Sequence, residues 1–236
     1  MLQSQEIAHV VFNPALPDEI LVGTEEGMLC FSATDGAPTR SIDLTAVKGQ
    51  GRGRTSTSGS EQAAASAPGI SVNDMCIGRD RSVPSTGDIS APSPPDGEGA
   101  GTWCVTVCHG QRISQFRCSD HALAWSVELP RHPSVDTASV SHDGAYYVAS
   151  GGEDCLEVGV GRVSDGVVLK YEGGHHGPVR CLRFNPCGRR YTSASEDGTV
   201  RIWRYSAEEA EAYAVTEAAR LAKEAEKEKA KGGGSS

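Results

Sequence analysis

Hydrophobic and polar residues alternate along most of this chain in short runs, and Gly, Pro, Asn and Asp separate the runs. "IAHVVF" (7–12) precedes "NPALPDE", "EILVGT" (19–24) precedes "EEG", and "MLCFSA" (28–33) precedes "TDGAP". An apolar period of two bounded by turn formers predicts strands joined in a meander. The unit recurs. "VVFNPALPDEILVGTEEGMLCF" parallels "LRFNPCGRRYTSASEDGTVRIW", so that Phe12-Asn13-Pro14 matches Phe184-Asn185-Pro186. "VDTASVSHDGAYYVASGGEDCLEVGV" (135–160) is a third copy, and "ISVNDMCI" followed later by "TWCVTVCHGQRISQF" is a fourth. Val140 and Phe184 lie 44 residues apart. A repeat in the low forties with four strands per unit is the pattern of a propeller blade, and the period of two excludes helical repeats of similar length.

Two stretches fall outside the pattern. Residues 48–68 are rich in Gly, Ser, Thr and Ala, and residues 79–101 are rich in Pro, Ser and Gly; neither can supply core side chains, and both are expected to be disordered inserts. The basic "GRGR" at 51–54 reads as part of a solvated loop rather than an RNA contact. Residues 206–236 differ again, being Ala/Glu/Lys-rich with a Gly/Ser end. Ser206 with Glu209 three residues on is a helix-start signal, and i,i+3 pairs such as Glu217–Arg220 and Glu224–Lys227 support a solvent-exposed helix that frays toward Gly232. The expected division is therefore blades over 1–205 and a charged helical tail over 206–236.

Composition narrows the function. A net charge of -9 argues against a broad nucleic-acid-binding face. No apolar run is long enough to span a membrane, and "MLQSQEIAHVVF" lacks a basic n-region and a long apolar stretch. The eight cysteines include no CxxC pair, and most sit in strand-like apolar runs. Reduced thiols in a cytoplasmic or nuclear protein are the expectation.

The stretch "HHGPVRCLRFNPCGRRYTSASEDGTVRIW" (175–203) concentrates the candidate chemistry. His175, Ser193 and Asp197 could be read as a hydrolase triad, but a mid-strand serine lacks an exposed elbow and an oxyanion hole. His175-His176 with Cys181 and Cys187 could be read as zinc ligands, but those cysteines alternate along a strand and its turn instead of converging. No cofactor, metal or small-molecule substrate is expected.

The same stretch resembles a WD40 repeat: "GGHHGPVRCLRF" is similar to the family's Gly-His opening, and "EDGTVRIW" to its Asp turn and Trp strand. Arg204 stands where the family usually has a second Asp. The resemblance implies an all-β WD40 propeller in which His175, Ser193, Asp197 and Trp203 form a buried hydrogen-bond network. In the third copy Ser150 and Asp154 keep the spacing while Val160 takes the Trp place; in the first, Phe31 and Glu25 stand at the Trp and Asp places. "GGED", "G-H-x-G-P-V" and "SEDGTVRIW" occur in the order found in the C-terminal blades of the serine/threonine kinase receptor-associated protein family, with subunit i of translation initiation factor three as a sister family. Such propellers have seven blades and this chain encodes about four, so the remaining blades are expected from another chain or a missing N-terminal part; open ends would expose sheet edges. The implied function is a non-catalytic scaffold in ribonucleoprotein assembly (the survival-of-motor-neuron complex), RNA processing and receptor-kinase signalling. A translation-initiation scaffold is the alternative. Arg180, Arg183, Arg189 and Arg190 give the last blade a basic character and are its candidate partner-binding residues.

Overall fold

The computed structural model describes residues 6–44, 47, 71–80, 101–129, 132–153, 155–186 and 188–206. It also describes the tail residues 208–213, 215, 216, 219, 220, 222 and 223. Among the described residues fifteen strands form four antiparallel sheets. Sheet 1 holds β1 (Ile7–Phe12), β2 (Glu19–Thr24), β3 (Gly27–Ser32) and β4 (Pro38–Ile42). Sheet 2 holds β5 (Val72–Asp80), β6 (Thr102–His109), β7 (Arg112–Arg117) and β8 (Leu123–Glu128). Sheet 3 holds β9 (Thr137–Val140), β10 (Tyr146–Ser150), β11 (Val158–Arg162) and β12 (Val168–Glu172), and sheet 4 holds β13 (Val179–Phe184), β14 (Arg190–Ser195) and β15 (Val200–Arg204). Each sheet is a meander, and first strands are neighbours: β1 beside β5, β5 beside β9, β9 beside β13. This is the blade arrangement of a β-propeller.

The repeated turn explains why the strands reverse where they do. Asn13 N–H donates to Glu19 O at 3.0 Å, and the matching Asn185 N–H donates to Arg190 O at 2.9 Å. Asn13 Oδ1 also accepts from Ala15 N at 2.9 Å, the side-chain turn that favours Asn there. β5 runs on through Arg79 and Asp80, which pair with Trp103 and Thr102. Apart from Gly101, the remainder of the inserts, including "GRGR", lies outside the described residues, as do Cys187, Asp154, Glu217 of the Glu217–Arg220 pair and the Glu224–Lys227 pair.

The core lies between sheets. Leu21, Met28 and Cys30 meet Val72, Met75 and Val105 between sheets 1 and 2; Trp125 and Ile113 meet Tyr147 and Ala138 between sheets 2 and 3; Val148, Val158 and Val160 meet Leu182 and Tyr191 between sheets 3 and 4. Side chains replace ladder bonds where first strands meet. Thr137 Oγ1 accepts from Leu182 N at 3.0 Å and donates to Asp74 Oδ2 at 2.8 Å, while Ser139 Oγ accepts from Phe184 N at 2.9 Å. Arg183 reaches from sheet 4 to the same Asp74 through two bonds of 2.8 and 3.0 Å, and His9 Nδ1 of sheet 1 lies 3.8 Å from it. One buried carboxylate on β5 thus gathers groups from the other three sheets.

The tail begins as read from Ser206, whose Oγ accepts from Glu209 N at 3.3 Å. Its first turn docks, unlike the solvent-exposed helix expected: Ala210 is buried, and Glu211 accepts from Arg162 at 2.9 Å and from the Tyr146 hydroxyl at 3.3 Å. The charged pattern hid this because one small and one acidic residue make the contact.

Candidate functional site

Sheet 4 brings His175, Ser193, Asp197 and Trp203 into one hydrogen-bonded chain. Trp203 Nε1 donates to Ser193 Oγ at 2.7 Å, Ser193 Oγ and His175 Nε2 lie 2.7 Å apart, and His175 Nδ1 lies 3.0 Å from Asp197 Oδ2. The donors and acceptors fix one tautomer. A carboxylate only accepts, so His175 donates through Nδ1; its Nε2 then accepts the Ser193 proton, leaving the serine oxygen to take the indole N–H. Asp197 is filled on both oxygens. Oδ1 takes the Thr199 hydroxyl at 2.6 Å and Thr199 N at 2.8 Å, and Oδ2 takes His176 N at 2.9 Å. The Thr199 hydroxyl and the His176 amide, with His175 assisting, hold the Asp197 carboxyl well below the usual carboxylate range. Gly198, at φ 78°, makes the tight turn that brings Asp197 back toward His175.

This arrangement is a brace. Ser193 is 0 % exposed and its oxygen is shared between an indole and an imidazole, so no substrate carbonyl can reach it. Both His175 nitrogens are engaged by Asp197 and Ser193, which leaves neither to join Cys181 around a metal.

Sheet 3 carries a different version of the same slot. The ladder pairs Tyr191 with Trp203 in sheet 4 and Tyr147 with Gly161 in sheet 3. Counting from these tyrosines, Gly161 stands at the Trp203 place and Ala149 at the Ser193 place. This corrects the assignment of Val160 and Ser150. Gly151-Gly152 add a residue between strand and turn, so spacing counted from the acidic pair slips by one. The Tyr147 ring fills the Trp place: a Cβ on Gly161 would sit 2.2 Å from its Cζ. Ser150 Oγ instead donates to Glu157 O at 2.8 Å.

Sheet 2 holds a third polar chain. His109 Nε2 and Ser114 Oγ lie 2.7 Å apart, and Ser114 donates to Ser126 Oγ at 3.0 Å, so His109 donates through Nε2. Its buried Nδ1 has no hydrogen-bond partner among the described residues. Burial, with Arg112 nearby, lowers the His109 pKa to about 4. Neither this chain nor the Asp74 hub was legible in the sequence, since no local motif links residues on separate strands and sheets.

The four arginines separate. Arg183 is turned onto Asp74, Arg180 bridges Asp136 at 3.0 Å and Glu196 at 2.7 Å, and Arg189 and Arg190 are exposed. A cleft of about 440 Å³ at the far end of the first strands is lined by Arg79, Thr106, His142, Arg183 and Phe184. Its arginines are already used, Arg183 by Asp74 and Arg79 over the Trp103 ring at 4.5 Å. Among the described residues one three-residue group has metal-ligand types, Glu19, Cys30 and His121. Arg40 donates toward His121 Nδ1 at 3.4 Å, so His121 Nε2 carries the proton and donates to Glu19 at 2.7 Å. The group clasps sheet 1 to sheet 2.

Residues 166–204 match the family model for the WD domain, G-beta repeat. The chain is similar to the serine-threonine kinase receptor-associated protein of Bos taurus, 39% identical over 110 residues that cover 47% of this chain and 29% of the relative. The protein of the same name from Dictyostelium discoideum is 40% identical over 70 residues, covering 30% of this chain and 23% of the relative. Eukaryotic translation initiation factor 3 subunit I of Danio rerio is 31% identical over 98 residues, covering 35% and 28%. The matches span less than a third of each relative's length. Residues 166–204 carry a WD40 repeat, and the four meander sheets have the arrangement of propeller blades.

Proposed function

We propose that this chain is a non-catalytic docking scaffold whose two terminal sheets take further protein, beginning with additional propeller blades from another chain or from the rest of a longer polypeptide. The observation that carries this is a matched pair of apolar faces. In sheet 4 the face of Phe184, Tyr191 and Trp203 packs on sheet 3. The corresponding face of sheet 1 bears Phe12, Ile20 and Phe31, and there Phe12 is 71% exposed, with Val10 on the same face at 55%. At the other end, the outer face of sheet 4 exposes Val200 at 67% and Ile202 at 68%, beside the exposed Cys181. Each interior interface joins one face of each kind, so each end offers half of an interface that this fold already makes three times. Exposed apolar faces of this kind mark interaction sites.

The family resemblance and the similarity to serine-threonine kinase receptor-associated proteins direct the proposal to ribonucleoprotein assembly and receptor-kinase signalling, in the cytoplasm and nucleus. The similarity to initiation factor 3 subunit I supports the second reading, a scaffold of translation initiation. Affinity purification of the full chain separates them. Small-nuclear-ribonucleoprotein assembly proteins support the first and initiation-factor subunits the second. Ile202→Asp and Phe12→Asp should each lose partners while melting within a few degrees of the parent. Unchanged capture by both variants would overturn docking at these faces.

A further inference from the structure

We propose that Cys155 is a modification site for soft electrophiles and peroxides, with His132 as the base that takes its proton. Cys155 lies in the loop between β10 and β11, half-buried, with its Sγ 3.3 Å from His132 Nδ1. His132 precedes β9 as His175 precedes β13, and it is 1% exposed. The two histidines fill the same slot with different partners. His175 Nδ1 faces a carboxylate; His132 Nδ1 faces a thiol. His175 Nε2 meets the Ser193 hydroxyl. His132 Nε2 is buried without a hydrogen-bond partner among the described residues, because Ala149 stands at the Ser193 place and offers no oxygen.

Among the described residues this leaves an imidazole whose one polar contact is a sulfur. With Nδ1 accepting, the Cys155 proton can pass to it, and the imidazolium then stabilises the thiolate it has made. The His132 hydrogen bond holds the Cys155 thiol below the usual thiol range against the opposing effect of burial, helped by backbone groups of Glu157 and Gly151. Elsewhere burial pushes thiols the other way: Cys30 up to about 12, Cys76 up to about 11, Cys108 well above the ordinary range. Thiolate character together with access is what makes a cysteine reactive.

The chemistry balances. With an alkyl iodide the S–H proton moves to His132, an S–C bond forms, and the C–I bond breaks with loss of iodide. With hydrogen peroxide the thiolate attacks one oxygen and the O–O bond breaks. Cys155 is oxidised by two electrons to the sulfenic acid, and the departing hydroxide takes the His132 proton to leave as water.

The test uses the full chain, reduced, at pH 7, with iodoacetamide and peptide-level mass spectrometry to follow each cysteine. Exposed Cys181 is the internal reference. Cys155 should alkylate about tenfold faster than Cys181. His132→Gln should remove most of that advantage and leave the Cys181 rate unchanged. A brief peroxide exposure followed by dimedone should tag Cys155 ahead of Cys181. Equal or slower labelling of Cys155 in the parent would overturn the proposal, as would an unchanged Cys155 rate in a folded His132→Gln. If His132→Gln does not fold, the parent's rate ratio and dimedone order decide it.

Discussion

Sheets 3 and 4 share a backbone plan and differ in how they use one histidine. In sheet 4 every polar atom of the chain from Trp203 to Asp197 has a complement, and the result is a buried brace. In sheet 3 three of its elements are replaced: Ala149 for the serine, Gly161 under Tyr147 for the tryptophan, and the Cys155 thiol as the partner of Nδ1. Tyr147 restores the packing, and its hydroxyl donates to Gly166 O at 3.0 Å. The polar half is not restored. A network that is complete adds rigidity, whereas one with a missing member leaves a buried polar atom at a cost. The same slot thus gives stability where it is filled and an available base where it is not. His109 in sheet 2 is like His132 in this respect, bonded on one nitrogen and, among the described residues, unmatched on the other, but its one partner is a serine hydroxyl.

The largest expected effect is in acid. His109 titrates at about 4 in the folded protein against an ordinary 6.5. Between those values the unfolded chain binds the extra proton and the folded one does not, so stability falls as pH drops through that window. The loss is on the order of 3 kcal/mol. Urea unfolding at pH 7, 5.5 and 4.5 should reveal it, and His109→Gln should flatten the dependence. Next comes Ser193→Ala, which strands the Trp203 indole N–H and the His175 Nε2. It should cost roughly 1–3 kcal/mol in chemical denaturation, while Ser150→Ala in sheet 3, which removes one bond to Glu157 O, should cost about 1 kcal/mol. A smaller change of opposite sign is expected from Ala149→Ser, which offers His132 Nε2 the missing oxygen: a gain of about 0.5–1 kcal/mol and slower Cys155 alkylation. Asp197→Asn removes a carboxylate held below its ordinary range. The stability that carboxylate supplies is present above the ordinary carboxylate pKa of about 4 and lost as pH falls below it. The Asn variant should therefore lose stability at neutral pH and show a weaker acid dependence below pH 4, a window separate from that of His109.

The legible part of this protein is local. β1 and β2 fall on the runs "IAHVVF" and "EILVGT" because alternation and flanking turns define both ends. The resemblance to a WD40 repeat names His175, Ser193, Asp197 and Trp203 together, and all four lie within that one repeat. His132 could not. Its partner sits across a loop whose extra glycine shifts the count, and its lost serine can be found only from the ladder. Asp74 was hidden for a related reason. Thr137, Arg183 and His9 reach it from three other sheets, and only the packing of first strands around it brings them near. Glu211, which fastens the tail to Arg162, is one acidic residue among many in its helix.

The most direct test is a double-mutant cycle between Ser193→Ala and Trp203→Phe, read by urea unfolding at pH 7. Phe keeps the ring and deletes the indole donor. If the four residues act as one brace, the double variant should be more stable than the sum of the single losses predicts, by about 1 kcal/mol, because the second substitution removes a group the first had already stranded. Losses that add within about 0.3 kcal/mol would contradict the brace, and with it the contrast between the two sheets.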